Sequence, residues 1–424
     1  MSDIHLNVFA PSDRPSAYAF DTNRALFNSA LTQMRRAAPH PALVLLPGDF
    51  LMHDFAEQAR RHSVMPEAAA LRTMEWIAGR FKQAFPNAQF AIALGNNDVP
   101  CGDYKSADGS RYLAAVARAW APLIDRRGAA RDFAASFSRS GYYTTRLPLA
   151  GLRLVVLNSV PLSSEYRGSC GTRALQNAAT QLSWLSKTLG STPPNQRNIV
   201  MMHIPPGFDA FSTDYVRGLV AWRFLSPRYD AALVAALDAP RNRVAYAIAG
   251  HTHRFDFRFA DGVPIVVFGS LSPIYANNPA FYVLRVRSNG ALHDIDVRAF
   301  DEADAAWLHP LSFDRAWSLP DVGAASLERL HVRLADSAAL RPKWYRQSGG
   351  WLSTAVIKDP TWAASWRISW CAQDLTVRDY AQCAGLRKRL LVLPSLGVLI
   401  VVIAVVLVSL ALLHRLRLGI RTKP

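Results

Sequence analysis

Four apolar runs of this chain end in the same way, on a short turn that carries Asp, Asn or His. ALVLLPGD closes on Gly48-Asp49, FAIALGNND on Gly95-Asn96-Asn97-Asp98, NIVMMHI on His203, and AYAIAGHTH on Gly250-His251-Thr252-His253. Short apolar runs bounded by turn residues read as buried strands. A strand that ends in a metal-binding type of residue delivers it to the rim of a sheet. Several such strands side by side gather Asp, Asn and His at one edge, which is how an α/β protein builds a metal site. A fifth motif, Asp3-Ile4-His5, stands at the start of the chain.

The rest of the pattern supplies the sheet and its helices. Amphipathic periodicity predicts helices near 22–37, 67–85, 110–121, 172–189 and 228–238. Strands are expected near 42–46, 90–94, 152–158, 198–202, 244–249 and 264–269. A hairpin follows, 281–287 with 293–300, turning at Ser288-Asn289-Gly290. No internal repeat or low-complexity tract interrupts it. At 424 residues and 50% hydrophobic, the chain can bury a large core. Residues 1–300 read as one domain and 301–385 as an accessory segment, Trp-rich and mostly helical from about 320.

Each motif alone has an ordinary explanation. Gly-Asp after a strand is commonly a turn, and His203 before Pro205-Pro206 reads equally as a satisfied loop histidine. Two imidazoles at i and i+2 after a tight glycine turn suit a metal better. The five together, in order, give seven candidate ligands: Asp3, His5, Asp49, Asn96, His203, His251 and His253. Such a donor set fits phosphoester hydrolysis. Near neutral pH that reaction needs a hydroxide that bulk water does not supply, and two cations sharing a water lower its pKa and clamp the phosphoryl oxygens.

The order, spacing and strand context of these motifs resemble the calcineurin-like metallophosphoesterases. The segments GDFLMHDF, MMHIPPGFD, QLSWL and GHTHRFDFR narrow the resemblance to the acid-sphingomyelinase-like phosphodiesterase branch. The likeness covers roughly residues 1–300, with a looser echo in 360–383. It implies an α/β, metallophosphoesterase-type β-sandwich flanked by helices. It also implies two divalent metal ions bridged by Asp49, with Asp3, His5 and His253 on one and Asn96, His203 and His251 on the other. The mix of imidazole, amide and carboxylate suits Zn, with Fe or Mn as alternatives, better than a calcium cage.

The third motif departs from the commonest family form. Asn97 stands where a histidine is usual, and an amide can donate a hydrogen bond but cannot act as an acid near pH 7. The Asn-Asn-Asp form also resembles endopolyphosphatases. His53, in GDFLMHDF, is therefore the candidate general acid, against the alternative of a histidine that only braces its loop.

Residues 390–413 carry no charge across 24 positions, long enough to span a bilayer as a helix. Residues 414–424 form a basic tail. Arg378, Arg387, Lys388 and Arg389 on one side balance Arg415, Arg417, Arg421 and Lys423 on the other, so the positive-inside rule gives no orientation. The four cysteines lack zinc-type spacing. Pairs 101–170 and 371–383 are compatible with disulfides in an oxidising compartment, and four ordinary thiols are the alternative. Only Met1 and Ser2 precede Asp3, whereas the other motifs follow a strand. A natural chain that starts earlier, with that strand and a secretory signal, is therefore expected. With a C-terminal stop-transfer helix, it would place a single-pass protein's catalytic domain on the extracytoplasmic, periplasmic side.

Net charge is +16. Seven Lys or Arg follow residue 386 without an acidic residue, which suits anionic head groups. No nucleic-acid-binding signature is present, and the Arg126-Arg127, Arg131 and Arg139 stretch reads as a solvated face. The expectation is thus a membrane-anchored dinuclear phosphodiesterase acting on a phosphate-ester substrate through a metal-bound hydroxide. A nucleotide or polyphosphate phosphatase using the same site is the alternative, and a non-catalytic binding protein that keeps its metals is the third reading.

Overall fold

The structure, a computed structural model, describes residues 1–149, 151–171, 178–216, 219–260, 262–352 and 361–386. Among these, twelve strands form three sheets. Strands β1 (Leu43–Leu46) and β2 (Gln89–Ile92) pair in parallel. The largest sheet holds β3 (Tyr143–Arg146), β4 (Leu152–Val156), β5 (Arg197–Met201), β6 (Val244–Ala249), β7 (Asp256–Phe259) and β8 (Pro264–Val267). Its order is β3-β4-β5-β6-β8-β7, parallel from β4 through β8, with β3 and β7 as antiparallel edges. The third sheet is antiparallel: β9 (Ala280–Val286) and β11 (Ala306–Trp307) and β12 (Leu311–Ser312) all pair with β10 (Leu292–Asp301).

Alternation along the strands builds two cores. Leu154, Val156, Ile199, Met201, Tyr246 and Ile248 join β1, β2, the β9–β10 hairpin and the helices Arg24–Ala37, Pro66–Ala84 and Arg111–Ile124. The intervening residues Val155, Val200, Ala247 and Ala249 pack against the helices Ala178–Gly190 and Pro227–Asp238. Burial on both faces explains why β5 and β6 are nearly continuous apolar runs. Those two helices are the crossovers that let β4, β5 and β6 run parallel. The result is an α/β fold with mixed sheets, in which each expected helix and strand occurs within a few residues of its predicted span. Of the helix expected at 172–189, residues 172–177 lie outside the described residues.

Some elements carry no clear sequence signal. The helices Phe55–Arg61 and Phe133–Ser140 and the edge strands β3 and β7 are too short for their periodicity to stand out. The first residues run as a buried crossing. Ser2 bridges Ser270, Leu6 bridges both Thr22 and Leu51, and the Met1 ammonium donates to the Leu45 carbonyl.

Past residue 312 the described elements are helices, Phe313–Trp317, Ala324–Asp336, Leu340–Ser348, Thr361–Gln373 and Tyr380–Cys383. It packs on β7 through specific bonds. Gln373 donates to Asp256 at 2.9 Å, Arg258 donates to the Ala372 carbonyl at 2.9 Å, and the Leu375 amide donates to Phe259 at 3.0 Å. The cysteines pair as 101–170 and 371–383. Among the described residues no helix is long and apolar enough to cross a membrane. The span expected at 390–413 and the tail at 414–424 lie outside the described residues.

Candidate metal centre

The motifs meet because parallel strands share a direction. Asp49 lies three residues beyond β1, Asn96 four beyond β2, His203 two beyond β5 and His251 two beyond β6. All four therefore sit at carboxyl ends of strands, where open α/β sheets place their sites. Asp3 and His5 reach the same point by hydrogen-bonding along the Gly48–Asp49 turn, His5 N–H to the Asp49 carbonyl at 2.9 Å. Five of these side chains come from left-handed backbone: Asp3 (φ 49°), His5 (44°), Asp49 (55°), His251 (76°) and His253 (56°). That conformation costs a non-glycine residue roughly 1–2 kcal/mol, and its concentration in one cluster marks a functional site. The turns close so tightly that a Cβ on Gly95 would lie 2.0 Å from Asp49 Oδ1.

The polar atoms fall into two groups around Asp49. In the first, His5 Nε2 lies 3.3 Å from Asp49 Oδ2 and 3.0 Å from His253 Nε2, which is 3.8 Å from Asp3 Oδ1. In the second, His203 Nε2 is 3.2 Å from Asp49 Oδ2, 3.1 Å from Asn96 Oδ1 and 3.2 Å from His251 Nδ1. All seven candidate ligands are thus brought together, divided as the resemblance implies. Nearly all are buried.

The donor chemistry fits divalent cations. His5 Nδ1 faces the Leu51 carbonyl at 3.0 Å and His203 Nδ1 the Pro47 carbonyl at 3.1 Å. A carbonyl only accepts, so each Nδ1 carries a proton, which leaves Nε2 as the nitrogen that would offer a lone pair to a bound cation. Burial, reinforced by nearby imidazoles, drops His5 to about 4 and His251 to about 3, so both are neutral ligands near pH 7. Burial pushes the Asp3 carboxyl up to about 6. Burial opposes the charged forms of Asp49 and His203 as well, yet their mutual attraction wins: Asp49 is held well below the carboxylate range and His203 raised to about 9. An imidazolium against the central carboxylate occupies the electrostatic place of a cation.

Supporting residues surround this centre: Asp98, Asn97, His53, Asp21, Asp103 and Tyr104, of which only Asp21 carries no sequence signal. Asp98 accepts hydrogen bonds from the backbone of Asp49, Phe50, Leu51 and Gly95, at 2.6–3.2 Å, and so locks the two turns together. Asn97 donates from its backbone and its side chain to Asp49, at 2.9 and 3.0 Å. His53 stacks on His5 and places Nδ1 3.0 Å from Asp21 Oδ1. Asp21 lies in a loop with nothing local to mark it. Asp103 accepts from Asn96 at 2.7 Å, and the Tyr104 hydroxyl is 3.3 Å from His251 Nε2, in the stretch after the third motif.

A cavity of about 480 Å³ opens beside His251. Tyr104 and Tyr275 line its metal end, Trp344 and Trp370 of the accessory helices its far end, and Arg254 the wall between. Arg254 directly follows His253, so the GHTHR segment held a signal for it. Its guanidinium lies 4.8 Å over the Tyr345 ring.

Comparison with known proteins agrees with this geometry. The family model described as calcineurin-like phosphoesterase matches residues 1–255. The chain is 26% identical over 419 residues to the acid sphingomyelinase-like phosphodiesterase 3b of Mus musculus, covering 90% of this chain and 86% of that one. It is 25% identical over 275 residues to the sphingomyelinase phosphodiesterase D of Dictyostelium discoideum, covering 62% and 57%. With the cyclic GMP-AMP phosphodiesterase SMPDL3A of Homo sapiens it shares 27% identity over 264 residues, covering 60% and 54%.

Proposed function

The chain belongs to the calcineurin-like phosphoesterases and is a metal-dependent phosphoesterase, and from that premise we propose that it hydrolyses phosphodiesters at a two-cation centre while anchored to a membrane. The observation that carries the diester reading is the cavity. It is lined from His251 and Tyr275 to Trp344 and Trp370, space that suits a second ester group beyond the phosphoryl site. A site for monoesters would close one side with charged donors.

Asp3, His5 and His253 would hold one cation, Asn96, His203 and His251 the other, and Asp49 both. When bound, the pair supplies Lewis acidity that makes water nucleophilic and neutralises phosphoryl charge. The protein's own residues orient and protonate. Asn97 fixes the Asp49 carboxylate with two hydrogen bonds, a positioning role that needs no titratable side chain. His53 is the general acid. Burial works against its charged form, but the hydrogen bond and charge of Asp21 raise its pKa above the usual imidazole value, so it holds a proton for the leaving oxygen. Arg254 adds positive charge to the cavity wall.

Sphingomyelin-like and cyclic-dinucleotide phosphodiesters, the kinds that the relatives are named for, are the first natural substrates to test. Membrane anchoring rests on the uncharged 390–413 segment, and an extracytoplasmic site accords with two paired disulfides. The test is hydrolysis of bis-p-nitrophenyl phosphate against p-nitrophenyl phosphate and ATP, with Asp49→Asn as control. Diester turnover abolished by the substitution supports the reading. Turnover confined to ATP or the monoester would replace it with a nucleotide or polyphosphate phosphatase.

A further inference from the structure

Large apolar side chains are exposed mainly in one place. Phe211 is 66% and Tyr215 81% exposed, Leu219 and Val220 are more than half exposed, and Trp222 and Tyr275 lie beside them. Among the described residues, the other exposed large hydrophobics, Phe20, Met65 and Val332, come from three separate parts of the chain. Single exposed apolar residues need no explanation, whereas a contiguous group does.

The group sits on a closed loop. Phe208 and Arg223 form an antiparallel bridge at its neck, where the Asp209 amide also donates to the Trp222 carbonyl at 3.0 Å. The short helix Ala210–Tyr215 forms one limb. Phe211 stands 6.5 Å from Tyr215 and 6.0 Å from Tyr275, ring centre to ring centre. Tyr275 in turn packs edge-on to His253 at 4.7 Å. The apolar surface therefore borders the mouth of the metal-centre cavity.

The base of this loop is also where the chain leaves the described structure. Phe208, Ala210 and Ala221 share one apolar cluster with Tyr380, Cys383 and Leu386. Phe208 stacks on Tyr380 at 3.8 Å, and the Cys371–Cys383 disulfide ties that end to the accessory helix Thr361–Gln373. The uncharged segment starts at residue 390, four positions after Leu386, a reach of at most about 14 Å. A bilayer holding that segment is then within reach of the loop.

We infer that Phe211, Tyr215, Leu219, Val220 and Trp222 seat in the head-group region of the bilayer that holds residues 390–413, turning the mouth of the metal-centre cavity toward the lipid surface. The inference rests on the anchoring proposed above. Aromatic residues favour that interface, where an apolar ring and a polar edge are both satisfied. Over 209–223 the loop carries Asp209, Asp214, Arg217 and Arg223, so charges cancel and apolar contact is what holds it. Contact with zwitterionic lipid is expected, independent of salt.

The test is photolabelling of the full chain in phosphatidylcholine vesicles that contain phosphatidylcholine with a diazirine on its acyl chain, followed by peptide mapping. Label is expected in 208–223 as well as in 390–413. The variant Tyr215→Ser/Leu219→Ser/Val220→Ser should lose roughly ten-fold or more of the loop label. Its turnover of soluble bis-p-nitrophenyl phosphate should stay within about two-fold, because surface substitutions away from a site are usually small in effect. Label in 390–413 alone would overturn the docking and leave the anchor standing. Label in neither segment would overturn both.

Discussion

His5 stacks its imidazole on that of His53, with ring centroids 4.0 Å apart and planes 14° from parallel. One ring belongs to the group around Asp49, and the other is held by Asp21. Two imidazoles this close resist carrying charge together, and the structure divides them: His5 falls to about 4, through burial first and then its neighbour, while Asp21 raises His53.

This division gives a pH prediction. Two divalent cations nearby would depress the His53 pKa, and Asp21 acts against them. Removing the Asp21 charge therefore lowers the His53 pKa, and the protonated fraction at a given alkaline pH falls. For Asp21→Asn, the alkaline limb of kcat for an alkyl phosphodiester is expected to move to lower pH. His53→Gln should lower that kcat by about 10²–10⁴-fold and affect a p-nitrophenolate leaving group much less. A limb that stays in place in Asp21→Asn would remove His53 from the acid role.

Asp98 makes a prediction about stability instead. Its carboxylate accepts from four backbone amides and is fully buried. Asp98→Asn turns one accepting oxygen into a donor that faces N–H groups. A loss of about 2–4 kcal/mol is expected, read by denaturant unfolding of chelator-treated protein. An unchanged midpoint would contradict the role given to this residue.

Gly95→Ala separates metal binding from folding. The added Cβ would lie 2.0 Å from Asp49 Oδ1 and 2.4 Å from the Asp49 amide nitrogen, so the bridging carboxylate must move. Metal content by mass spectrometry should fall below half of the wild-type value, roughly a several-fold loss of affinity, with the far-ultraviolet circular dichroism retained. Full metal occupancy would show that the turn tolerates the shift.

The Cys101–Cys170 disulfide anchors the segment that carries Asp103 and Tyr104, and it closes a separation of 69 residues. In the chain-entropy account such a bridge contributes about 4 kcal/mol. Cys101→Ser/Cys170→Ser should lower the Tm and raise KM for a diester more than it lowers kcat, because Tyr104 borders the cavity rather than the reacting atoms. A fall in kcat with KM unchanged would contradict that placement.

Much of the centre was legible because each ligand except Asp3 and His5 follows a buried strand, where an apolar run and a polar turn are both conspicuous. The helices and strands that carry those ligands were visible for the same reason. Asp21 carries no local signal, since it meets His53 across 32 residues of chain and only the fold brings it there. Asp98 stands within the third motif, but its bonds to the Asp49 turn span 47 to 49 residues and do not show in spacing. His53 was noticed within its motif, but its stacking on His5 was not visible from spacing. The exposed apolar residues Phe211, Tyr215, Leu219 and Val220 carry no such signal. They look like an ordinary mixture in sequence, and their meaning comes from lying beside both the cavity and the chain's exit at Leu386.

The most direct test of the two-cation centre is to titrate metal-free protein with Zn²⁺ and follow bis-p-nitrophenyl phosphate turnover, in wild type and in Asp49→Asn. Activity is expected to rise until two equivalents per chain are bound, and the variant to stay inactive throughout. Full activity at one equivalent, or an Asp49→Asn protein that reaches wild-type turnover, would contradict a centre bridged by Asp49.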